Sequence, residues 1–319
     1  MPAIARHEPW RNLAEPTVTL QVFDRLVARC KDLPSAPFAV VSPTTDVALS
    51  GAMAAAGAGL IEPILVGPEL AIRALGAKLG FDPSMLVVVD ALDDADAARK
   101  AVALCREGGA TGLMKGSLHT DVLMHAVLDP EKGLRTPRRV SHVFVIDAPA
   151  YPRPLLVTDA AINIYPTLED KVDIAKNAIE LAHALGIAMP NVAILSAVET
   201  VTPKITSTID AAALCKMADR RQITGAVVDG PLAFDTAVSA ESAAIKQLMS
   251  PVAGKADVLL VPDLESGNML AKQLEYLGGA ELAGVVLGAR VPVVLTSRSD
   301  SVRARLASCA VAVLRARAG

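Results

Sequence analysis

Phe38-Ala39-Val40-Val41-Ser42, followed by the alanine-rich DVALSGAMAAAGA at 46–58, is a short β-rich run and then a helical one. The same alternation continues along the chain. Glu62-Pro63-Ile64-Leu65-Val66 predicts a strand before a helix near 69–79. A strand near 86–89 precedes a helix near 94–107, and 111–115 reads as a further strand. Repeated βα units close by right-handed crossovers, so the expected class is α/β with a parallel sheet.

Residues 129–139 (DPEKGLRTPRR) break this rhythm with two prolines, a glycine and four basic residues. The segment serves either as a solvated connector or as a hinge between domains. Beyond it, 140–147 and 154–158 are β-rich, with Pro149, Pro152 and Pro154 at their junction. Strand, turn, strand predicts a hairpin, and so a second sheet of mixed direction. Thr167 with Asp170 three residues on resembles a capping box, and starts a helix that ends at Gly186. Strands at 192–196, 224–229, 257–261, 283–287 and 291–296 alternate with helices near 205–219, 235–249 and 265–277. A terminal helix runs from about 300 to 317.

Composition narrows the class. Apolar residues make up 52% of the 319 and aromatic ones only 3%, so the core is built from Ala, Val, Leu and Ile. That composition suits helices packed on parallel strands. A net charge of −3 gives no basic stripe for a nucleic acid. No apolar run approaches ~20 residues, which argues against a membrane span. His7, Glu8 and Arg11 interrupt the beginning of the chain, unlike a signal peptide. The four cysteines, Cys30, Cys105, Cys215 and Cys309, are scattered without metal-ligand or redox spacing, which fits free thiols in a reducing cytoplasm.

The chemistry-bearing residues collect where strands are expected to end. Val293-Val294-Leu295-Thr296-Ser297-Arg298-Ser299-Asp300 is a buried strand leading through Ser-Arg into a helix. Free N–H groups at a helix start, a guanidinium fork and a hydroxyl together suit a phosphoryl group or an oxyanion. Asp300 either accepts a proton as a general base or caps the helix. Lys115-Gly116-Ser117 with His119 and Thr120 forms a second strand-to-helix turn able to present N–H groups and charge to an anion. His119 is either a base or a hydrogen-bonded structural residue. Asp159 and Asn163, and Asp229 with Gly230, Pro231 and Asp235, follow expected strands, where ligands bind in open α/β sheets and where ordinary turns also use these residues. Gly267 and Asn268 stand at an expected helix start, either as a point of close backbone approach with an amide donor or as a cap. No Walker loop, dinucleotide fingerprint, His-Glu-x-x-His or nucleophile elbow is present.

These segments, in this order, resemble the phosphate acetyltransferase and phosphate butyryltransferase family from about Phe38 to about Val311. The pieces are Ile64-Leu65-Val66-Gly67, Met114–Thr120, Thr158–Asn163, Val228–Asp235, Gly267-Asn268 and the Ser297-Arg298 pair. The resemblance implies a two-domain αβα architecture like that of isocitrate and isopropylmalate dehydrogenases, with the active site in the cleft between the domains. It divides the chain into 1–138 plus 293–319 and 139–292. It implies reversible transfer of a short acyl group, acetyl or butyryl, between coenzyme A and inorganic phosphate in a ternary complex. It also implies a homodimer, with no permanently bound cofactor and no metal. A dehydrogenase on the same architecture would need an Asp cluster and an arginine set, and no such motif stands out. Catalysis falls to Ser297, Arg298 and Asp300. Substrate binding falls to Lys115, Gly116, Ser117, His119, Thr120, Arg135, Asp159, Asn163, Asp229, Gly267 and Asn268.

Two departures matter. The acetyltransferase pattern has a proposed base inside the first turn of the last helix, where this chain has Ala304. It also has an arginine one helix turn after Thr120, where this chain has Val122-Leu123-Met124-His125. Arg135, Arg138 or Arg139 is then the candidate to replace that arginine. The Ser-Arg-x-Asp-Ser spelling and Lys115 lean towards butyryl or a related chain. A catalytically weakened relative that only binds CoA or an acyl phosphate is the alternative.

Overall fold

A computed structural model describes residues 21–297 and 300–318. In chain order, α1 (Val22–Cys30) precedes β1 (Ala36–Val41), α2 (Asp46–Gly57), β2 (Ile61–Gly67), α3 (Glu69–Lys78), β3 (Val88–Asp90), α4 (Asp94–Arg106), β4 (Gly112–Lys115) and α5 (Thr120–Val127). There follow β5 (Ser141–Asp147), β6 (Leu155–Thr158), α6 (Leu168–Ala184), β7 (Asn191–Leu195), α7 (Thr206–Asp219), β8 (Val227–Leu232), α8 (Phe234–Val238) and α9 (Ala240–Ile245). The chain then runs through β9 (Val258–Leu260), α10 (Leu264–Tyr276), β10 (Glu281–Leu287), β11 (Val293–Val294) and α11 (Val302–Arg317).

Local chemistry accounts for the helix starts. Thr45 and Asp93 accept from the N–H groups of Ala48 and Asp96 at the head of α2 and α4. The expected capping box of Thr167 and Asp170 opens α6, and Asp263 with Ser266 makes another on α10. The single helix expected over 235–249 is two, α8 and α9. Ser239 ends the first in extended backbone and accepts from Ser242 N–H to start the second.

The strands form one 11-stranded sheet in the order β3-β2-β1-β4-β11-β10-β5-β6-β9-β7-β8. The expected second sheet is therefore the far half of a continuous mixed one. β3, β2, β1, β4 and β11 are mutually parallel. β10 runs antiparallel to both β11 and β5, and β5 pairs with β6 in the expected hairpin. β6, β9, β7 and β8 are again parallel. Three apolar clusters fill the faces. One, including Ala39, Leu113, Leu123 and Val293, centres on the first half of the sheet and takes in Val140 and Val286, and one, including Val157, Leu195, Leu259 and Leu282, lies within the second. The third runs through both halves, from Phe38 and Met114 to Val143, Ile174 and Val258. Residues 129–139 are packed rather than loose: Leu134 is fully buried, Arg290 N–H donates to its carbonyl, and Thr136 Oγ1 donates to Gly288 O. No helix among the described residues is long and apolar enough to cross a membrane.

His142 on β5 is a buried titratable group in this core, 1% exposed and edge-on to Phe144 at 4.3 Å. Its Nδ1 has no partner among the described residues. Burial pulls its pKa from 6.5 down to about 4, with Asp159 opposing the shift, so the folded protein holds it neutral. The unfolded chain takes up a proton near 6.5 that the folded chain refuses until about 4, so this residue's share of stability is lost as pH falls through that window. Denaturant unfolding of wild type and His142→Leu from pH 7 to 4.5 should show their stability difference shrinking or reversing towards acid. A constant difference would mean that His142 is no source of the acid sensitivity.

Candidate active site

The loops after β4 and β11 leave the sheet side by side, because the two strands are parallel neighbours with Val294 opposite Met114. After β4 the chain folds across the end of β1. Gly116 N–H donates to Val41 O at 2.9 Å and Ser117 N–H to Ser42 O at 2.8 Å. A Cβ on Gly116 would lie 2.2 Å from Val41 O, so only glycine allows this approach. Ser42 itself has φ of 49°, and its buried hydroxyl has no partner among the described residues. Ser117 Oγ accepts from Thr44 N–H at 3.1 Å and shares a hydrogen bond with Thr45 Oγ1. Lys115 is 5% exposed with Nζ 3.5 Å from Gly116 O. His119 is exposed at the N-cap of α5 and makes no side-chain cap bond. Thr120 is the first residue of α5, whose leading N–H groups emerge here.

Beside this turn stands the Ser297–Asp300 turn. Ser297 N–H donates to Asp300 Oδ2 at 2.7 Å, and Asp300 N–H to Ser297 O at 3.3 Å. Arg298, the predicted anion-binding residue, lies with Ser299 outside the described residues. Asp300 is not the helix cap: Ser301 holds that position and accepts from Ala304 N–H. Burial raises the Asp300 pKa above the ordinary carboxylate value. The Ser297 N–H and Arg305 pull it back, Glu275 adds to the rise, and Lys272 opposes it. Arg305, which the sequence motifs did not single out, donates from Nη1 to Thr296 Oγ1 at 2.8 Å and from Nη2 to Ser297 O at 2.7 Å. It is 3% exposed. The one available signal was an arginine in the buried stretch of α11, with a glycine, Gly51, where α2 crosses it.

The remaining candidates gather elsewhere. Thr158 stands in the same transverse row as Val143, Val285, Val294 and Met114. Because β6 runs against β4 and β11, the loop after Thr158 leaves in the other direction. Asp159, 2% exposed, accepts from the N–H groups of Ala161, Ile162 and Asn163 and from Asn163 Nδ2. Asn163 Nδ2 also donates to Val140 O, and its Oδ1 accepts from Arg139 Nε at 2.7 Å. Gly267 and Asn268 lie inside α10, past its cap. A Cβ on Gly267 would stand 2.8 Å from Asp159 O, and Asn268 Nδ2 donates to Ala160 O. These four residues fix the 159–163 loop to its neighbours. Beside that loop, Arg135, Arg138, Arg139, Glu169 and Asp173 line a cleft of about 610 Å³. Arg138 pairs with Glu180 and Arg139 with Asp170, while Arg135 makes no ion pair among the described residues. Asp229, with Gly230 and Pro231, lies within β8 rather than after it. That edge strand tolerates a proline because its outer side needs no N–H donor, and it shifts register against β7 between Ala193 and Leu195. Asp229 is thus set apart from both groups.

The family model described as phosphate acetyl/butaryl transferase matches residues 91–313. The chain belongs to the phosphate acetyl/butyryl transferase family. It is 59% identical over 292 residues to a phosphate acetyltransferase of Rhizobium meliloti, covering 92% of each chain. It is 41% identical over 295 residues to a phosphate butyryltransferase of Clostridium acetobutylicum, covering 92% of this chain and 98% of that one. A solved branched-chain phosphotransacylase from Enterococcus faecalis V583 superposes with a TM-score of 0.77 at 32% identity, over 88% of this chain and 99% of that one. The chain is accordingly an acyltransferase, and the α/β architecture expected from the sequence is that of these phosphotransacylases.

The Gly116 turn generates a paired test. Gly116→Ala should lower stability by about 2–4 kcal/mol and activity by more than about tenfold, because its methyl displaces the Val41 carbonyl. Gly57→Ala, which meets nothing within 4 Å, should leave both within error or raise stability slightly. Equal behaviour of the two variants would mean that the turn accommodates a side chain.

Proposed function

We propose that the two adjacent strand-end turns, Lys115–Thr120 and Ser297–Asp300, form the reacting centre for reversible transfer of a short acyl group between coenzyme A and inorganic phosphate. The observation that carries this assignment is the Ser297–Asp300 turn: a half-buried carboxylate of raised proton affinity, one hydrogen bond from the residue beside the motif arginine. In the direction of acyl-CoA formation, Asp300 takes the proton of the CoA thiol. The thiolate attacks the carbonyl carbon of the acyl phosphate, forming the C–S bond. The oxyanion collapses, the C–O bond to phosphate breaks, and phosphate leaves as an anion against Arg298. Ser297 and the N–H groups at the head of α5 stabilise the oxyanion, and Lys115 supplies positive charge. Asp159, Asn163, Gly267 and Asn268 support the opposing loop, and Arg135 is the cation of the second cleft best placed to meet a phosphate of CoA.

Acetyl is the proposed acyl group. The greater likeness to relatives named phosphate acetyltransferase weighs against the butyryl lean of the Ser-Arg-x-Asp-Ser spelling. The reading includes two lobes, 1–138 plus 293–319 and 139–292. The apolar cluster lying wholly within 139–292 supports that division. It also includes a homodimer working in the cytoplasm.

Thiol release from acetyl-, propionyl- and butyryl-CoA should depend on phosphate and be fastest with acetyl. CoA binding without release from any of them would replace the transferase reading with the binding-protein one. Arg298→Ala should cost about 10²–10³ in kcat/KM for phosphate with the fold intact. Near-normal phosphate kinetics in that variant would remove Arg298 from the centre. Asp300→Asn should lower kcat by about 10²–10⁴ and abolish an acid limb lying above pH 3.8. A variant that only melts earlier would make Asp300 a structural residue.

A further inference from the structure

Arg305 is a costly residue where it stands. Its neighbours on α11, Ala304, Ala307, Ser308 and Cys309, are small and buried, and an apolar side chain would fill the same space without desolvating a charge. Gly51 on α2 gives it room, since a Cβ there would come 2.7 Å from Arg305 Cδ. Arg305 makes no ion pair among the described residues, and its buried Nε finds no hydrogen-bond partner among them. Its two satisfied nitrogens reach Thr296 and Ser297, the residues that lead into the reacting turn. Its nearest charge influences are Asp300 and the buried Cys309 thiol.

We propose that Arg305 is a positioning residue for the acyl transfer: its fork clamps Thr296 and Ser297, and its charge beside Asp300 keeps that carboxylate ready to accept the thiol proton. The clamp acts on the backbone oxygen of Ser297, whose N–H in turn holds Asp300 Oδ2. One side chain thereby fixes both ends of the turn, the hydroxyl-bearing residue and the base. Among the described residues, the other charged groups that bear on Asp300 are Lys272 and Glu275 of α10, which pair with each other at 2.8 Å. Among the described residues, Arg305 is the cation bearing on Asp300 that is not itself held in an ion pair. Without it, burial acts on Asp300 with less opposing positive charge, and the carboxylate is protonated at higher pH. A lysine would restore the charge but not the two-pronged contact, because an ammonium cannot reproduce the planar fork.

The proposal rests on Asp300 being the base, so the experiment separates the two. The pH dependence of kcat is measured at saturating substrates for wild type, Asp300→Asn, Arg305→Met and Arg305→Lys, with thermal midpoints alongside. Asp300→Asn should lose the acid limb. Arg305→Met should move that limb up by about one pH unit and lower kcat by about 10–100-fold. Arg305→Lys should keep the limb near its wild-type position while kcat still falls several-fold. A limb lost in Asp300→Asn but unmoved in folded Arg305→Met leaves the base in place and overturns the role of Arg305. A limb retained by Asp300→Asn overturns the base, and the proposal with it. If Arg305→Met does not fold, wild-type kcat and profile in Arg305→Lys overturn the proposal.

Discussion

The pairing of Val293 and Val294 between β4 and β10 is the contact on which the rest of the arrangement depends. β11 is two residues long, parallel to β4 and antiparallel to β10. It belongs by direction to the first half of the sheet and by connection to the second. Both side chains are fully buried, Val293 among the apolar residues of the first half and Val294 in the cluster that spans the sheet. A slip of one residue would exchange those faces and turn the following Thr296–Ser297 segment away from Gly116. The reversal at β10 also decides which loops meet. Everything after β11 emerges with the loop after β4, and the loop after β6 leaves in the other direction.

Local chemistry made most elements legible. The βα alternation from 36 to 115, the hairpin of β5 and β6, and the Thr167–Asp170 box all rest on interactions within a few residues. The union of the two halves into one sheet was not legible, because it depends on β11 pairing with a strand some 180 residues earlier. Asp229 was misplaced for a related reason. Its segment looks like strand then turn, but on an edge strand the Gly230-Pro231 pair is carried through the ladder. The Ser297 and Lys115 segments were legible as separate strand-to-helix turns, and their adjacency is a product of tertiary pairing. α1 carries no motif, and its docking through Val22 N–H to Asp147 Oδ2 joins positions 125 residues apart.

The site sets two opposed demands on one carboxylate. A base for a thiol benefits from a raised proton affinity, which burial supplies, yet it must still be ionised when substrate arrives. Burial raises that affinity, and the Ser297 N–H and the Arg305 guanidinium oppose the rise. The Ser297 N–H also orients the carboxylate, and Arg305 holds the Ser297 carbonyl, so tuning and positioning run through the same residues. On this proposal the cost of burying Arg305 among the small residues of α11 is offset by what it does for the turn.

The displaced carboxylate of the family pattern then has a structural reason. At position 304 the helix is already packed, with Ala304 buried and its N–H held by Ser301. A carboxylate there would have to find space inside the first turn. Here the acid stands one residue before the cap instead. Two consecutive residues able to cap a helix, Asp300 and Ser301, divide the work. Ser301 satisfies the orphan N–H of α11, which releases the Asp300 side chain to reach back to Ser297. Were Asp300 itself the cap, its oxygens would be committed to the helix and unavailable to a thiol. The Asp-Ser order at the head of α11 is therefore what allows a helix start and the proposed base to occupy neighbouring positions.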